Sequence, residues 1–153
     1  MKRIRIVGCG ACDRGDDEAG LLAAEALRQL VPPKIEVIKN TAGGALLLDW
    51  CQEVDILVLI DAALATAQFP VGASLRIVFP DERHLLATIR IPGTHAFSLA
   101  DALRLAETLG QLPGEVIMFL LAGDQFQPGT TLSGALRQPL VGLVEQVRRE
   151  LTP

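Results

Sequence analysis

Carboxylates are crowded into one connection near the start of the chain. Four of the six residues at 13–18 are acidic, and they lie between an apolar run at 4–7 and an amphipathic segment at 21–30. Crowded carboxylates beside a buried strand end repel each other and lose solvation, and a bound cation relieves both costs. A solvated loop in which Asp16 or Asp17 caps the following helix accounts for the same residues. This stretch alone leaves both interpretations open.

Two more residues could take part in the same chemistry. Asp61 directly follows the apolar run at 56–60, where a buried carboxylate is costly without a partner. His95 lies between a Pro-Gly turn and a helix that we expect to begin at Ser98, whereas His84 is predicted on an exposed hairpin. A strand-end Asp and a structural His are the ordinary explanations of each residue taken singly. Two carboxylates and one imidazole together form a ligand set for Ni, Zn, Cu or Fe, with positions left for water or substrate.

Other chemistries fit less well. The glycines of the acidic connection lack dinucleotide-loop spacing, and its carboxylates would repel a pyrophosphate. Cys9 and Cys12 have the spacing of a redox pair, but Asp13 disfavours a thiolate there, so we expect both thiols to be dispensable. A serine hydrolase would need a Gly-x-Ser-x-Gly turn, and Ser98 and Ser133 are instead predicted to cap helices.

Composition limits the class of protein. The 153 residues suit one domain spanning 1–153, and 50% hydrophobic content permits a sizeable core. A net charge of −4 without a basic patch argues against binding to nucleic acid or an anionic membrane. The N-terminus has no signal-peptide pattern, no apolar run reaches the roughly 20 residues of a membrane span, and three cysteines do not suggest a disulfide framework. We expect a monomer in the cytoplasm.

Apolar periodicity predicts an α/β fold. Buried strands are expected at 3–8, 34–39, 55–60 and 115–122, and a hairpin at 74–79 and 84–91. Helices are expected at 21–30, 45–52, 98–109 and 133–151, the last one kinked or divided at Pro139. This alternation predicts three α/β/α layers around a mostly parallel sheet of five or six strands.

Right-handed crossovers place the first and third strands side by side, in a flavodoxin-like order. Ligands of such sheets bind at the carboxyl ends of the strands, where the strand order reverses. Asp17 follows the first strand and Asp61 closes the third, so the two carboxylates are predicted to meet in that crevice. The dipole at a helix start favours the carboxylate form of Asp17.

Several motifs, taken together and in order, resemble the hydrogenase maturation proteases, which process the large subunit of [NiFe] hydrogenases. The stretches that carry the resemblance are Gly-Cys-Gly-Ala at 8–11, Gly-Asp-Asp-Glu-Ala-Gly at 15–20, Leu-Ile-Asp-Ala at 59–62, Thr-His at 94–95 before a leucine-rich helix and Leu-Pro at 112–113, and Pro-Gly-Thr-Thr-Leu-Ser at 128–133. Each motif is loose, but the set extends over nearly the whole chain.

The resemblance implies a phosphorylase/hydrolase-like fold and an aspartyl-protease-like endopeptidase. It implies that the metal-binding and catalytic residues are Asp17, Asp61 and His95. The metal would be nickel already present in the immature large subunit, and the reaction would be removal of its C-terminal extension. The partner would then be the [NiFe] hydrogenase large-subunit precursor. A non-catalytic metal-binding or chaperone-like protein of the same fold is the alternative.

Overall fold

One mixed sheet forms the centre of the protein. The computed structural model describes residues 1–93 and 97–152. In that part of the chain the sheet has the order β2-β1-β3-β5-β4, and only β4 is antiparallel to its neighbour. The strands are β1 (Ile4–Cys9), β2 (Glu36–Asn40), β3 (Ile56–Leu64), β4 (Ser74–Phe79) and β5 (Glu115–Gly123). The predicted adjacency of the first and third strands is therefore confirmed.

Helices cover both faces of this sheet. They are α1 (Ala19–Leu30), α2 (Leu47–Trp50), α3 (Arg83–Leu86), α4 (Leu99–Thr108) and α5 (Arg137–Leu151). Short 3-10 turns, Gly15–Glu18 and Gly134–Leu136, precede α1 and α5. Within the described ranges, no helix has both the length and the apolar character needed to cross a membrane.

Alternating strand residues divide the core into two clusters. Val58, Ile60 and Ala62 of β3 point to the face covered by α1 and α5. Leu59 and Ala63 point to the opposite face, which α2 and α4 cover. This alternation follows from the period of two along a strand, and it gives the three layers that the sequence predicts.

One predicted strand boundary and one predicted strand are wrong. Asp61 does not close the third strand, because β3 continues to Leu64 and stays paired with β5 as far as Gly123. Residues 84–91 do not form a strand, since α3 begins at Arg83. The edge of β4 explains the second error: Glu82 binds the backbone of Val78 through its side chain (2.9 Å) and its own N–H (2.7 Å), which leaves no site for another strand there.

The predicted ends of the helices are partly corrected. Pro139 does not kink the last helix, because it lies in the first turn of α5, where its missing N–H costs no helical hydrogen bond. Ser98 caps α4 as expected, accepting a bond from the Asp101 N–H (3.1 Å). Ser133 occupies the residue before a 3-10 turn, but its hydroxyl makes no cap bond.

Glycines allow β1 and α1 to lie unusually close together. A Cβ at Gly20 would lie 2.1 Å from the carbonyl oxygen of Cys9 and 2.5 Å from that of Ile60. A Cβ at Gly8 would lie 2.0 Å from the carbonyl oxygen of Gly20. Because no side chain fits between these backbones, the glycines bring the acidic connection directly over the carboxyl edge of the sheet.

Candidate functional site

Buried polar side chains collect at the carboxyl edge of the sheet. Among the described residues, the buried polar or charged ones are Asp16, Asp17, Asn40, Asp61 and Ser133. The first two follow β1, Asn40 ends β2, Asp61 lies in β3, and Ser133 follows β5. Buried polar groups are expensive unless they are satisfied or used, so this edge is the candidate site.

Asp17 and Asp61 line one small cavity, as the topology predicts. The cavity has a volume of about 70 Å³ and lies between the end of β1 and the start of α4. Each of the two residues is only 5% exposed. Asp61 is two positions from both Leu59 and Ala63 along β3, which places it on the same face of the sheet, the one covered by α2 and α4. Asp17 lies in the 3-10 turn directly before α1.

The electrostatics of Asp61 distinguish it from an ordinary strand-end aspartate. Burial raises the pKa of its carboxyl well above the usual range, and the neighbouring charge of Asp17 raises the pKa further. A bond from the Ala62 N–H to Asp61 Oδ1 (2.8 Å) acts in the opposite direction. A buried carboxyl whose ionisation is disfavoured by burial and by a second carboxylate is a site at which a proton or a cation is bound readily.

His95 lies outside the described residues, and its predicted place in the site therefore remains a prediction. Within the described ranges, no group of three His, Cys, Asp or Glu side chains could hold a metal ion. Asp17 and Asp61 are the described members of the predicted ligand set, and the chemistry of two carboxylates suits a divalent cation. His84, the other histidine, is exposed on α3 as expected, although on a helix and not on a hairpin.

Asn40 shapes the wall of the cavity, a role that the sequence did not indicate. Its Nδ2 donates to the Gly43 carbonyl (2.8 Å), and its Oδ1 accepts from the Ala42 N–H (3.0 Å). The same Nδ2 contacts Cys9 Sγ at 3.5 Å. An Asn at the end of an alternating strand is also a common turn residue, so its type and position alone carried no signal.

The cysteines do not form a redox pair in this structure. Cys9 is buried and Cys12 is exposed, and both are free thiols. Burial raises the pKa of the Cys9 thiol, and the charge of Asp61 raises it further. Because the thiolate is the reactive form, these surroundings make Cys9 inert.

Asp16 is buried but serves neither as a helix cap nor as a wall of the cavity. The residues at the cap positions of the 3-10 turn and of α1 are Arg14 and Glu18, and neither position has a side-chain cap bond. Asp16 instead accepts N–H groups from the segment after β5. The sequence placed two acidic residues side by side, and only the structure separates their roles.

Several solved structures with this architecture are described as hydrogenase maturation endopeptidases or proteases. The hydrogenase maturating endopeptidase HybD from E. coli has a TM-score of 0.78 at 23% identity, with 98% of this chain and 94% of that chain covered. The chain has the fold of these endopeptidases. The [NiFe] hydrogenase maturation protease HybD from Thermococcus kodakarensis has a TM-score of 0.75 at 21% identity, with 99% of each chain covered. A hydrogenase 2 maturation peptidase from a Thaumarchaeota archaeon has a TM-score of 0.71 at 22% identity, with 98% of each chain covered.

The likeness lies in the fold and not in close sequence identity. No protein-family model and no curated protein sequence matches the chain. The sequence motifs at the acidic connection and around Asp61 nevertheless resemble those of the same group of proteins whose solved structures share this fold. Both motifs lie at the carboxyl edge of the sheet, where Asp17 and Asp61 meet.

Proposed function

We propose that this chain is an endopeptidase of [NiFe] hydrogenase maturation, which removes the C-terminal extension of the large-subunit precursor after nickel has been inserted. The observation that carries the proposal is the meeting of the buried side chains of Asp17 and Asp61, 44 positions apart in the sequence, in one cavity at the carboxyl edge of this fold. The reaction takes place in the cytoplasm, and the chain acts as a monomer.

Nickel enters the site as part of the substrate. Asp17, Asp61 and His95 bind it while the precursor supplies its other ligands. Without the cation, burial and the charge of Asp17 hold the pKa of Asp61 high, which favours its protonated form. An approaching divalent cation stabilises both carboxylates and displaces the proton, so the site distinguishes a nickel-loaded precursor from an empty one.

Cleavage follows from what the cation and the carboxylates do together. A divalent cation polarises a nearby peptide carbonyl and activates water, which is the chemistry of metal-assisted hydrolysis. The cavity of about 70 Å³ has room for water beside the carboxylates, where it would lie close to the scissile bond.

Processing of a nickel-loaded precursor by purified variants tests this proposal. Asp17→Asn and Asp61→Asn keep the shape of each side chain but remove one charge, so both should abolish or strongly reduce cleavage while the fold is retained. The matched control is Asp49→Asn, which changes an exposed carboxylate of α2. Full cleavage by Asp17→Asn and Asp61→Asn would refute the proposed site. Nickel binding by the chain without any cleavage would favour a metal carrier.

A further inference from the structure

The segment between β5 and α5 is joined to the acidic connection through one buried carboxylate. Asp16 is 0% exposed. Its Oδ2 accepts the N–H groups of Asp124 and Gln125, each at 3.1 Å, and its Oδ1 accepts the N–H of Ser133 at 2.9 Å. One side chain therefore satisfies three backbone donors from the far end of the chain, and these charge-assisted bonds are stronger than neutral ones.

Backbone hydrogen bonds also join the acidic connection to the segment between β5 and α5. We call this set of bonds around Asp16 the junction. The Asp16 N–H donates to the Gln125 carbonyl (2.7 Å), and the Gly15 N–H donates to the Thr130 carbonyl (2.9 Å). Gly123 has no side chain because Asp16 fills the space: a Cβ there would lie 2.7 Å from Asp16 Cβ and 2.8 Å from Oδ2. The motif at 128–133, which the proposed reaction does not itself use, thus has a structural partner.

The junction determines where Asp17 lies. Asp17 is the next residue in the same 3-10 turn. Backbone bonds outside the helices also hold this turn: the Asp17 N–H donates to the Arg14 carbonyl, and the Ala11 N–H donates to the Asp17 carbonyl, both at 3.2 Å. These two bonds are longer than those at Asp16 and Gly15. Because Asp16 and Asp17 are consecutive in one short turn, the side-chain and backbone bonds at Asp16 fix the backbone from which the Asp17 side chain extends.

We propose that Asp16 is a positioning residue that holds Asp17 against Asp61 by binding the segment after β5. Asp16 does not line the cavity, so it acts through the turn and not by touching the substrate. The proposal rests on the function proposed above only for its consequence in catalysis. The geometric part, that Asp16 holds the turn carrying Asp17, is independent of it.

Two variants disturb the junction from opposite sides. In Asp16→Asn the amide nitrogen cannot accept a hydrogen bond, so at least one of the three N–H groups loses its acceptor. In Gly123→Ala the new methyl group pushes the unchanged Asp16 side chain away from its donors. The matched control is Ser133→Ala, which keeps the backbone N–H bonded to Asp16 and removes only a buried hydroxyl that has no partner within the described residues.

Amide hydrogen exchange on the free chain is the first measurement. Both junction variants should speed exchange at the Ala11 and Asp17 amides by about tenfold or more, while strand amides such as those of Leu59 and Phe119 change little. The Ser133→Ala control should exchange like the unaltered chain. Unchanged exchange at Ala11 and Asp17 in both junction variants would overturn the proposal. An equal increase at every protected amide would also overturn it, because that pattern means general destabilisation alone.

Precursor cleavage below the melting temperature is the second measurement. Loss of alignment at Asp17 should lower kcat by about tenfold or more while KM changes less than about twofold. Wild-type kcat in both folded junction variants would contradict the positioning role in catalysis. If the unaltered chain cleaves no precursor, the proposed function fails, whereas the exchange measurement still decides whether Asp16 positions the turn.

Discussion

Asp61 is the residue at which stability and the proposed function conflict most clearly. It lies within a strand whose other inward-facing residues are apolar, and it is 5% exposed beside a second carboxylate. A carboxyl in such surroundings destabilises the fold, and interactions elsewhere must offset this cost, as is usual at functional sites. The cost should therefore be measurable when the charge is removed.

Asp61→Asn should abolish cleavage yet stabilise the fold at neutral pH. The folded chain raises the pKa of Asp61 above its ordinary value of 3.8, so its favourable contribution is full below that pH and is lost as pH rises through the folded pKa. Asparagine never ionises and can still accept the Ala62 N–H. We expect the variant to gain roughly 1 kcal/mol, or about 2–4 °C in Tm, at about pH 8 and much less at about pH 4.

Thermal melts across this pH range check the expectation. Asp49→Asn changes an exposed carboxylate, so its difference in Tm from the unaltered chain should be the same at every pH. An Asp61→Asn variant that is equally destabilised at every pH would show that the carboxylate does more for the fold than burial and repulsion take away.

The two histidines allow a comparison of cleavage by two single-residue variants. His95→Ala should remove the imidazole of the proposed site and lower cleavage by about 100-fold or more, since loss of one metal ligand removes both affinity and alignment. His84→Ala should process the precursor at the normal rate, because His84 is exposed on α3 and does not line the cavity. Activity that survives in His95→Ala and disappears in His84→Ala would reverse the assignment.

At the scale of elements, the close packing of α1 on the sheet brings the acidic connection to the site. Gly20→Ala would place a methyl group 2.1 Å from the Cys9 carbonyl oxygen, so α1 would have to move away from β1. We expect a loss of about 3 kcal/mol or more, with cleavage reduced in whatever folded protein remains. Urea unfolding followed by circular dichroism measures the loss.

Gly142→Ala is the matched control for that change. Gly142 also lies inside a helix, α5, but a Cβ there would have nothing within 4 Å. Alanine should therefore stabilise α5 by about 0.5–1 kcal/mol through helix propensity alone. If Gly20→Ala were equally harmless, close approach would not be the reason for the glycine at that position.

Some helices and strands could be predicted from sequence patterns alone, whereas others depend on which strands pair in the sheet. The strand at 115–122 and the helix beginning after Ser98 were predictable because apolar period and capping residues agree there. The end of β3 could not be predicted, because Ala62 and Ala63 have no strand preference and are extended through their pairing with β5. The segment at 84–91 failed for the opposite reason: Glu82 occupies the edge where the pairing was expected.

At the scale of the whole molecule, the site exists only because the sheet brings separate segments to one edge. Topology rules were enough to predict that Asp17 and Asp61 would meet, because parallel strands end on the same side and their order reverses between β1 and β3. The role of Asp16 could not be predicted, because its partners are backbone N–H groups 108 to 117 positions away. Every residue except proline has a backbone N–H, so residue types do not indicate which N–H groups a buried carboxylate will bind.

Cleavage of matched precursors, one loaded with nickel and one without, tests the central claim most directly. The purified chain is incubated with each [NiFe] hydrogenase large-subunit precursor, and the C-terminal mass is measured over time. We expect the nickel-loaded precursor to lose its C-terminal extension in a single cut, and the nickel-free precursor to stay intact because Asp17 and Asp61 then have no cation to bind. Equal cleavage of both precursors would contradict recognition of nickel, and an intact nickel-loaded precursor would contradict the proposed function itself.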